Sequence, residues 1–160
     1  MPTKPVLPFV ETMITQTCNL SCRGCTNYSD LIHKGFVSWE QGKSQLIPWL
    51  ERVQILDFGI MGGEPTINPE CDQWIAGIRT LLPGAQIRFT TNGINLNKKM
   101  HLVNLLKDIG NSVLKITVHT VDQKIESTID QIFQMYSWEE VEEYGIKRYR
   151  TNNNFRFQIT

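Results

Sequence analysis

Three thiols in one short stretch are the residues most able to do chemistry in this chain. Thr17-Cys18-Asn19-Leu20-Ser21-Cys22-Arg23-Gly24-Cys25 spaces its cysteines by four and then three residues. A loop of that length can wrap three thiolates around one compact object. It reads as a metal site rather than as part of a disulfide framework, whose bridges gain most by closing long loops. Fully ligated 4Fe–4S clusters take four cysteines. Three protein thiolates would leave one iron open, and open coordination marks catalytic rather than structural metal centres. Two other readings stay open at this level: a zinc site completed by His33, and plain burial of small apolar thiols.

Further candidates follow along the chain. Gly62-Gly63-Glu64-Pro65 and Thr91-Asn92-Gly93 are turn sequences by composition alone. Tyr28 lies just past the third cysteine, and His119 falls at the end of an apolar run. A strand-end histidine can be a ligand contact or a satisfied structural residue. Cys71 stands apart from the other thiols and reads as packed, and His101 as a surface residue.

The elements that must position these residues alternate in period. Pro8 to Ile14 reads as a first strand leading directly into the cysteines. Ser38 opens a helix, with Gln41 completing a capping box and Pro48 expected to kink or restart it. A second strand spans Ile55 to Ile60. Asn68-Pro69 then reads as an N-cap and first helical residue, opening a helix that stops at Pro83-Gly84. Gln86 to Thr90 is a third strand and Lys98 to Ile109 a helix, with Gly110 at a left-handed C-cap position. Val113 to Val118 is a fourth strand, Asp122 to Tyr136 a helix, Trp138 to Tyr144 a short acidic helix, and Phe155 to Ile159 a fifth strand. Glu139 to Glu143 followed by Lys147 to Arg150 reads as a solvated charged face.

Strands alternating with helices imply an α/β fold with a parallel sheet and right-handed crossovers. Five strands do not close a barrel, so an open, partial βα barrel is expected. Ligands of parallel sheets bind beyond the carboxyl ends of the strands. That places chemistry in the segments Thr15 to Thr26, Met61 to Asn68, Thr90 to Asn95 and His119 to Asp122.

Composition sets the frame. At 160 residues and 41% hydrophobic, residues 1–160 are expected to form a single domain. Sixteen basic residues balance sixteen acidic ones, so nothing in the net charge draws the chain to nucleic acid or to an anionic membrane. No apolar run nears the roughly 20 residues that span a bilayer. The first residues lack the apolar stretch of a secretory signal, and the expected compartment is the cytoplasm.

Taken together, the cysteine loop after strand one and the Gly62-Gly63-Glu64-Pro65 turn after strand two resemble the radical S-adenosylmethionine enzymes. Their motifs are three cysteines at this spacing and a GGEP turn in these positions. Thr91-Asn92 resembles the family's ribose-contacting segment. The resemblance implies a 4Fe–4S cluster on Cys18, Cys22 and Cys25, with S-adenosylmethionine chelated to the open iron. Reductive cleavage would release methionine and a 5′-deoxyadenosyl radical that abstracts hydrogen from a substrate. It implies that Gly62 and Gly63 let the backbone approach the methionine moiety, that Glu64 accepts from its ammonium group, and that Pro65 stiffens the turn. An electron donor such as flavodoxin or ferredoxin is implied as a partner. The chain departs from the family at Gly24, where an aromatic residue often packs on the adenine. Tyr28 is the candidate replacement, with His119 as a further contact to the adenosine or the substrate.

The family barrel usually has six strands, and this sequence reaches a fifth. It reads as a fragment or a short member, with a wide lateral opening that a protein or peptide substrate could cover. Within the enzyme reading, an activase that installs a glycyl radical competes with direct substrate modification. The rival classes are an iron–sulfur electron carrier or remnant domain and a zinc-stabilised interaction module, neither of which accounts for the GGEP turn.

Overall fold

A computed structural model of the chain describes residues 4–29, 34–120, 122–143 and 146–160. The first strand divides in two. Val6–Leu7 (β1) precedes Val10–Met13 (β2), which runs into the cysteine loop. Ser38 caps the helix Trp39–Leu50 (α1), its hydroxyl accepting from the Gln41 amide at 3.2 Å. This helix runs through Pro48 as one element and ends two residues later, so the proline interrupts only its last turn. Gln54–Ile55 (β3) pairs only with β1, and Asp57–Met61 (β4) is the second strand of the main sheet.

The segment after β4 departs from the expected N-cap. Pro65–Ile67 forms a single 3₁₀ turn, and the helix begins later, as Cys71–Leu81 (α2). Asn68 works as a brace rather than a cap. Its amide donates to the Ile14 and Val37 carbonyls at 2.7 and 3.0 Å, and its carbonyl accepts from the Glu70 amide. Gln86–Thr91 (β5), Met100–Ile109 (α3), Ser112–Ile116 (β6) and Gln123–Met135 (α4) follow. Gly110 ends α3 with φ +60°, a conformation that glycine adopts without steric cost.

The acidic segment is a strand, not a helix. Glu139–Glu143 (β7) pairs antiparallel with Ile146–Arg150 (β8), setting Glu139 opposite Arg150, where their side chains pair at 2.8 Å. Opposite charges across a strand pair favour this pairing, and a local helix reading cannot see them. Phe155–Ile159 (β9) then returns to lie parallel beside β6.

The main sheet has seven strands in the order β2-β4-β5-β6-β9-β8-β7. Pairing is parallel from β2 to β9, and the antiparallel β7–β8 hairpin covers the outer edge of β9. With β2 and β7 at its two ends the sheet is open, an α/β partial barrel. One face is apolar: Phe58, Ile60, Ile87, Phe89, Leu114, Ile116, Phe155 and Phe157 are buried with helix residues such as Trp74, Ile78, Leu106 and Ile132. The pleat sends the intervening side chains to the opposite face.

Candidate functional site

The cysteine loop leaves β2 and is pinched shut at its base. Thr15 bridges Phe36, the Gln16 amide donates to Gly35 at 3.1 Å, and the Thr15 hydroxyl donates to the same carbonyl at 2.8 Å. Within the loop, the Cys25 amide donates to the Cys22 carbonyl, and the Tyr28 amide to the Cys25 carbonyl. These turns bring Cys18, Cys22 and Cys25 to the wall of one cavity of about 340 Å³. Met61, Gly62 and Gly63 share that wall with Thr90, Thr91, Asn92, Thr117 and His119. Each of the four segments that follow the parallel strands contributes, as the topology of a parallel sheet requires.

The glycine turn is locked to the cysteine loop by backbone. The Gly63 amide donates to the Thr15 carbonyl and the Glu64 amide to the Thr17 carbonyl, both at 2.9 Å. A Cβ on Gly62 would stand 2.4 Å from the Thr15 carbonyl oxygen, and one on Gly63 would stand 2.5 Å from that of Thr17. The absent side chains therefore first serve contact between two pieces of chain. Asn27, which the sequence did not single out, adds a 2.8 Å bond from its amide to the Gly62 carbonyl.

Glu64 differs most from expectation. It is fully buried and is spent on the protein rather than facing the cavity. One carboxylate oxygen accepts from the Thr66 amide at 3.1 Å and from the Thr66 and Thr91 hydroxyls at 2.6 Å each. The other accepts from the Asn92 amide at 2.8 Å. The carboxylate thus clamps the turn after β4 to the end of β5, and Pro65 is buried at the start of the 3₁₀ turn. Thr91 and Asn92 reach the cavity wall with their polar atoms already engaged. The Thr91 hydroxyl also accepts from Gly93, and the Asn92 side chain accepts from Ile94 and donates to Asn19 at 2.7 Å.

Tyr28 does not join the site. It has φ +51° and is 60% exposed, and it is absent from the cavity wall, which carries no phenyl, phenol or indole ring among the described residues. His119 lies on that wall and is exposed. Cys71 is buried in the core, and burial pushes its thiol up to about 12. It is a packed residue, and a neutral thiol is a poor ligand.

The thiols of the loop suit an iron–sulfur cluster. Burial raises the Cys18 thiol, although the Leu20 amide donates to its sulfur at 3.4 Å. The Ser29 backbone amide, aided by those of Asn27 and Tyr28, holds Cys25 below the ordinary thiol value. Amide donors of this kind stabilise thiolates and tune clusters. Among the described residues, no three Cys, His, Asp or Glu side chains gather tightly enough for a single ion. Thiolates on one zinc, at about 2.3 Å each, would stand only about 3.8 Å apart. Three thiols lining one cavity are a donor set that suits a cluster. His33, the fourth ligand of the zinc reading, lies outside the described residues.

Comparison with known proteins agrees with this arrangement. The model of the Radical SAM superfamily matches residues 12–153. The GTP 3′,8-cyclase of Campylobacter fetus subsp. fetus is 29% identical over 127 residues, covering 74% of this chain and 36% of its own length. The mycofactocin maturase MftC of Mycobacterium ulcerans is 33% identical over 87 residues, covering 54% of this chain and 23% of its own. The chain therefore spans about a third or less of these relatives. Among solved structures, BtrN in complex with AdoMet and 2-DOIA superposes with a TM-score of 0.63 at 18% identity, covering 98% of this chain and 58% of that one. The fold, the cysteine loop facing a glycine turn and the family match converge: this chain belongs to the radical SAM superfamily, enzymes whose cofactors are a 4Fe–4S cluster and S-adenosylmethionine.

Proposed function

We propose that residues 1–160 form one radical SAM core domain that cleaves S-adenosylmethionine reductively and directs the resulting radical at a substrate hydrogen. The observation that carries this reading is the shared cavity, where Cys18, Cys22 and Cys25 meet Gly62 and Gly63 and the ends of β5 and β6. When bound, the cluster and S-adenosylmethionine supply one-electron cleavage of the sulfonium bond to the ribose, yielding methionine and a 5′-deoxyadenosyl radical.

The chain's own residues bind and orient. Cys18, Cys22 and Cys25 would hold the cluster. The Gly62–Gly63 backbone forms the wall for the methionine end, kept at a fixed distance from the cysteines by the Thr15, Thr17 and Asn27 hydrogen bonds. Glu64 acts through others, setting the Thr91-Asn92 segment, while Thr91, Asn92 and His119 form the side of the cavity assigned to the adenosine. Among the described residues, the imidazole of His119 is the one aromatic ring on the wall and the candidate to pack on the base.

The proposed setting is cytoplasmic, with a flavodoxin- or ferredoxin-type electron donor. No described helix is long and apolar enough to cross a membrane. The β7–β8 hairpin extends the sheet beyond the fifth parallel strand, the sheet stays open between β2 and β7, and a protein or peptide is the substrate proposed to cover that lateral opening.

The test is anaerobic reconstitution with iron and sulfide, then incubation with S-adenosylmethionine and dithionite. The expected result is a brown protein that releases 5′-deoxyadenosine and methionine. Cys22→Ala should lose both colour and cleavage. Full cleavage by Cys22→Ala would overturn the ligand assignment, and a colourless protein that retains zinc would overturn the reaction.

A further inference from the structure

One side chain from outside the cysteine loop is aimed at a cysteine sulfur. The amino group of Asn92, at the end of β5, stands 4.0 Å from the Cys18 sulfur and 2.7 Å from Asn19 Oδ1. Other donors at these sulfurs belong to the loop itself. They are the Leu20 amide on Cys18 and the amides of Ser29, Asn27 and Tyr28 around Cys25.

The direction of the Asn92 side chain follows from its partners. The Ile94 amide can only donate, so the atom it meets at 3.1 Å is Oδ1, and the NH2 end must face Cys18 and Asn19. The backbone is held as well. The Asn92 amide donates to the buried Glu64 carboxylate at 2.8 Å. Gly93 follows with φ +82°, and the Ile116 side chain packs 3.0 Å from where its Cβ would stand. Asn92 is itself buried. Its orientation is therefore set by β5 and Glu64 rather than by the loop it reaches. One of its two amino hydrogens goes to Asn19. Among the described residues, the Cys18 sulfur is the acceptor toward which the second can point.

That contact changes character when Cys18 serves as a ligand. As a thiol, Cys18 has a proton to offer Asn19 Oδ1, 3.9 Å away. A ligating thiolate has none, and its sulfur only accepts. The Asn92 NH2 then lies between two acceptors, and its bond to the sulfur is charge-assisted. Reduction adds negative charge to a cluster, so a donor at a ligand sulfur favours the reduced state, and hydrogen bonds to the sulfurs are among the terms that set the potential. At 4.0 Å the contact is long, and it acts as an oriented dipole more than as a short bond.

We propose that Asn92 is a positioning residue for the cluster, acting through Cys18 to raise its reduction potential. The inference rests on the ligand role proposed for Cys18 and not on the cleavage step. The residue that borders the adenosine side of the cavity thereby also sets how readily the cluster takes up its electron.

The experiment is a redox titration of the anaerobically reconstituted chain, followed by electron paramagnetic resonance without S-adenosylmethionine. A contact between Asn92 and the ribose cannot contribute under those conditions. Asn92→Ser keeps a hydroxyl able to accept from the Ile94 amide but withdraws the NH2 from Cys18. At a given potential it should shift the reduced-to-oxidised ratio about threefold toward the oxidised state, a midpoint about 30 mV lower at about 59 mV per decade. Asn92→Asp keeps the Ile94 bond and sets an oxygen where the NH2 was, so its midpoint should fall further. Asn97→Ser, at an exposed position, should match the parent. Iron content and thermal melts establish that the variants load and fold.

A midpoint in Asn92→Ser equal to that of the parent overturns the proposal. So does a higher one, which water entering beside Cys18 would give. Loss of the cluster from both Asn92 variants makes Asn92 a structural residue and overturns it too. The same preparations are assayed for 5′-deoxyadenosine with S-adenosylmethionine and dithionite. Cleavage by the parent, with an unchanged midpoint in Asn92→Ser, removes the tuning role and leaves the reaction standing. A lowered midpoint in a chain whose parent releases no 5′-deoxyadenosine supports the tuning role and counts against the reaction. A parent that takes up no cluster overturns both.

Discussion

Glu64 shows how a motif residue can serve a site without touching its ligand. Its carboxylate accepts four hydrogen bonds from Thr66, Thr91 and Asn92 in full burial. Glu64→Gln replaces one acceptor oxygen with an amide NH2 that faces donors, so at least one buried donor loses its partner. The expected cost is about 2 kcal/mol, read as a lower melting temperature in the cluster-loaded protein. Were Glu64 instead a direct partner of the S-adenosylmethionine ammonium, Glu64→Gln would weaken cofactor binding and leave the melting temperature unchanged. The cysteines were legible because their spacing is local and their chemistry narrow. The partners of Glu64 were not, because Thr91 and Asn92 lie 27 and 28 residues away and meet it only through the register of β4 and β5. Tyr28 failed for a related reason: nearness to Cys25 in sequence says nothing of the side on which a residue with positive φ projects.

Among the elements, the β7–β8 hairpin carries most of what the sequence concealed. Glutamate favours helices locally, so a run of four glutamates around Val141 reads as helical. The basic strand that follows supplies the opposite charges, and the aromatic residues supply the anchor. Trp138 sits at the entrance to β7, with ring centroids 5.5 Å from Phe155, 5.8 Å from Phe157, 5.7 Å from Tyr136 and 6.1 Å from Phe133. Trp138→Ala removes the contact that holds the hairpin against the end of α4 and the back of β9. A loss of about 3 kcal/mol is expected, seen as a lower urea midpoint. The parallel strands and their helices were legible throughout, since each couples an apolar run to a turn or cap. Element ends were less so: Asn68 makes the acceptor bond of a cap, to the Glu70 amide, yet the helix starts only at Cys71, and its side-chain NH2 is tied to the Ile14 and Val37 carbonyls, partners that local sequence does not show.

For the molecule as a whole, parallel topology explains why so much of the site could be placed in advance. A chain that crosses the same way after every strand must deliver the following loops to one end, whatever the side chains do. The same topology governs the order of events in time. Asn92 is 74 residues from Cys18, and Gly62 is 35 residues from Asn27, so the cysteine loop takes its shape only once β2, β4 and β5 are side by side. Iron capture is then a late event that waits for the finished scaffold. Supplying iron and sulfide to the chain in urea before dilution should yield no more cluster than adding them after refolding, as measured by absorbance of the cluster per chain, and a large gain from early addition would show that the metal itself organises the loop.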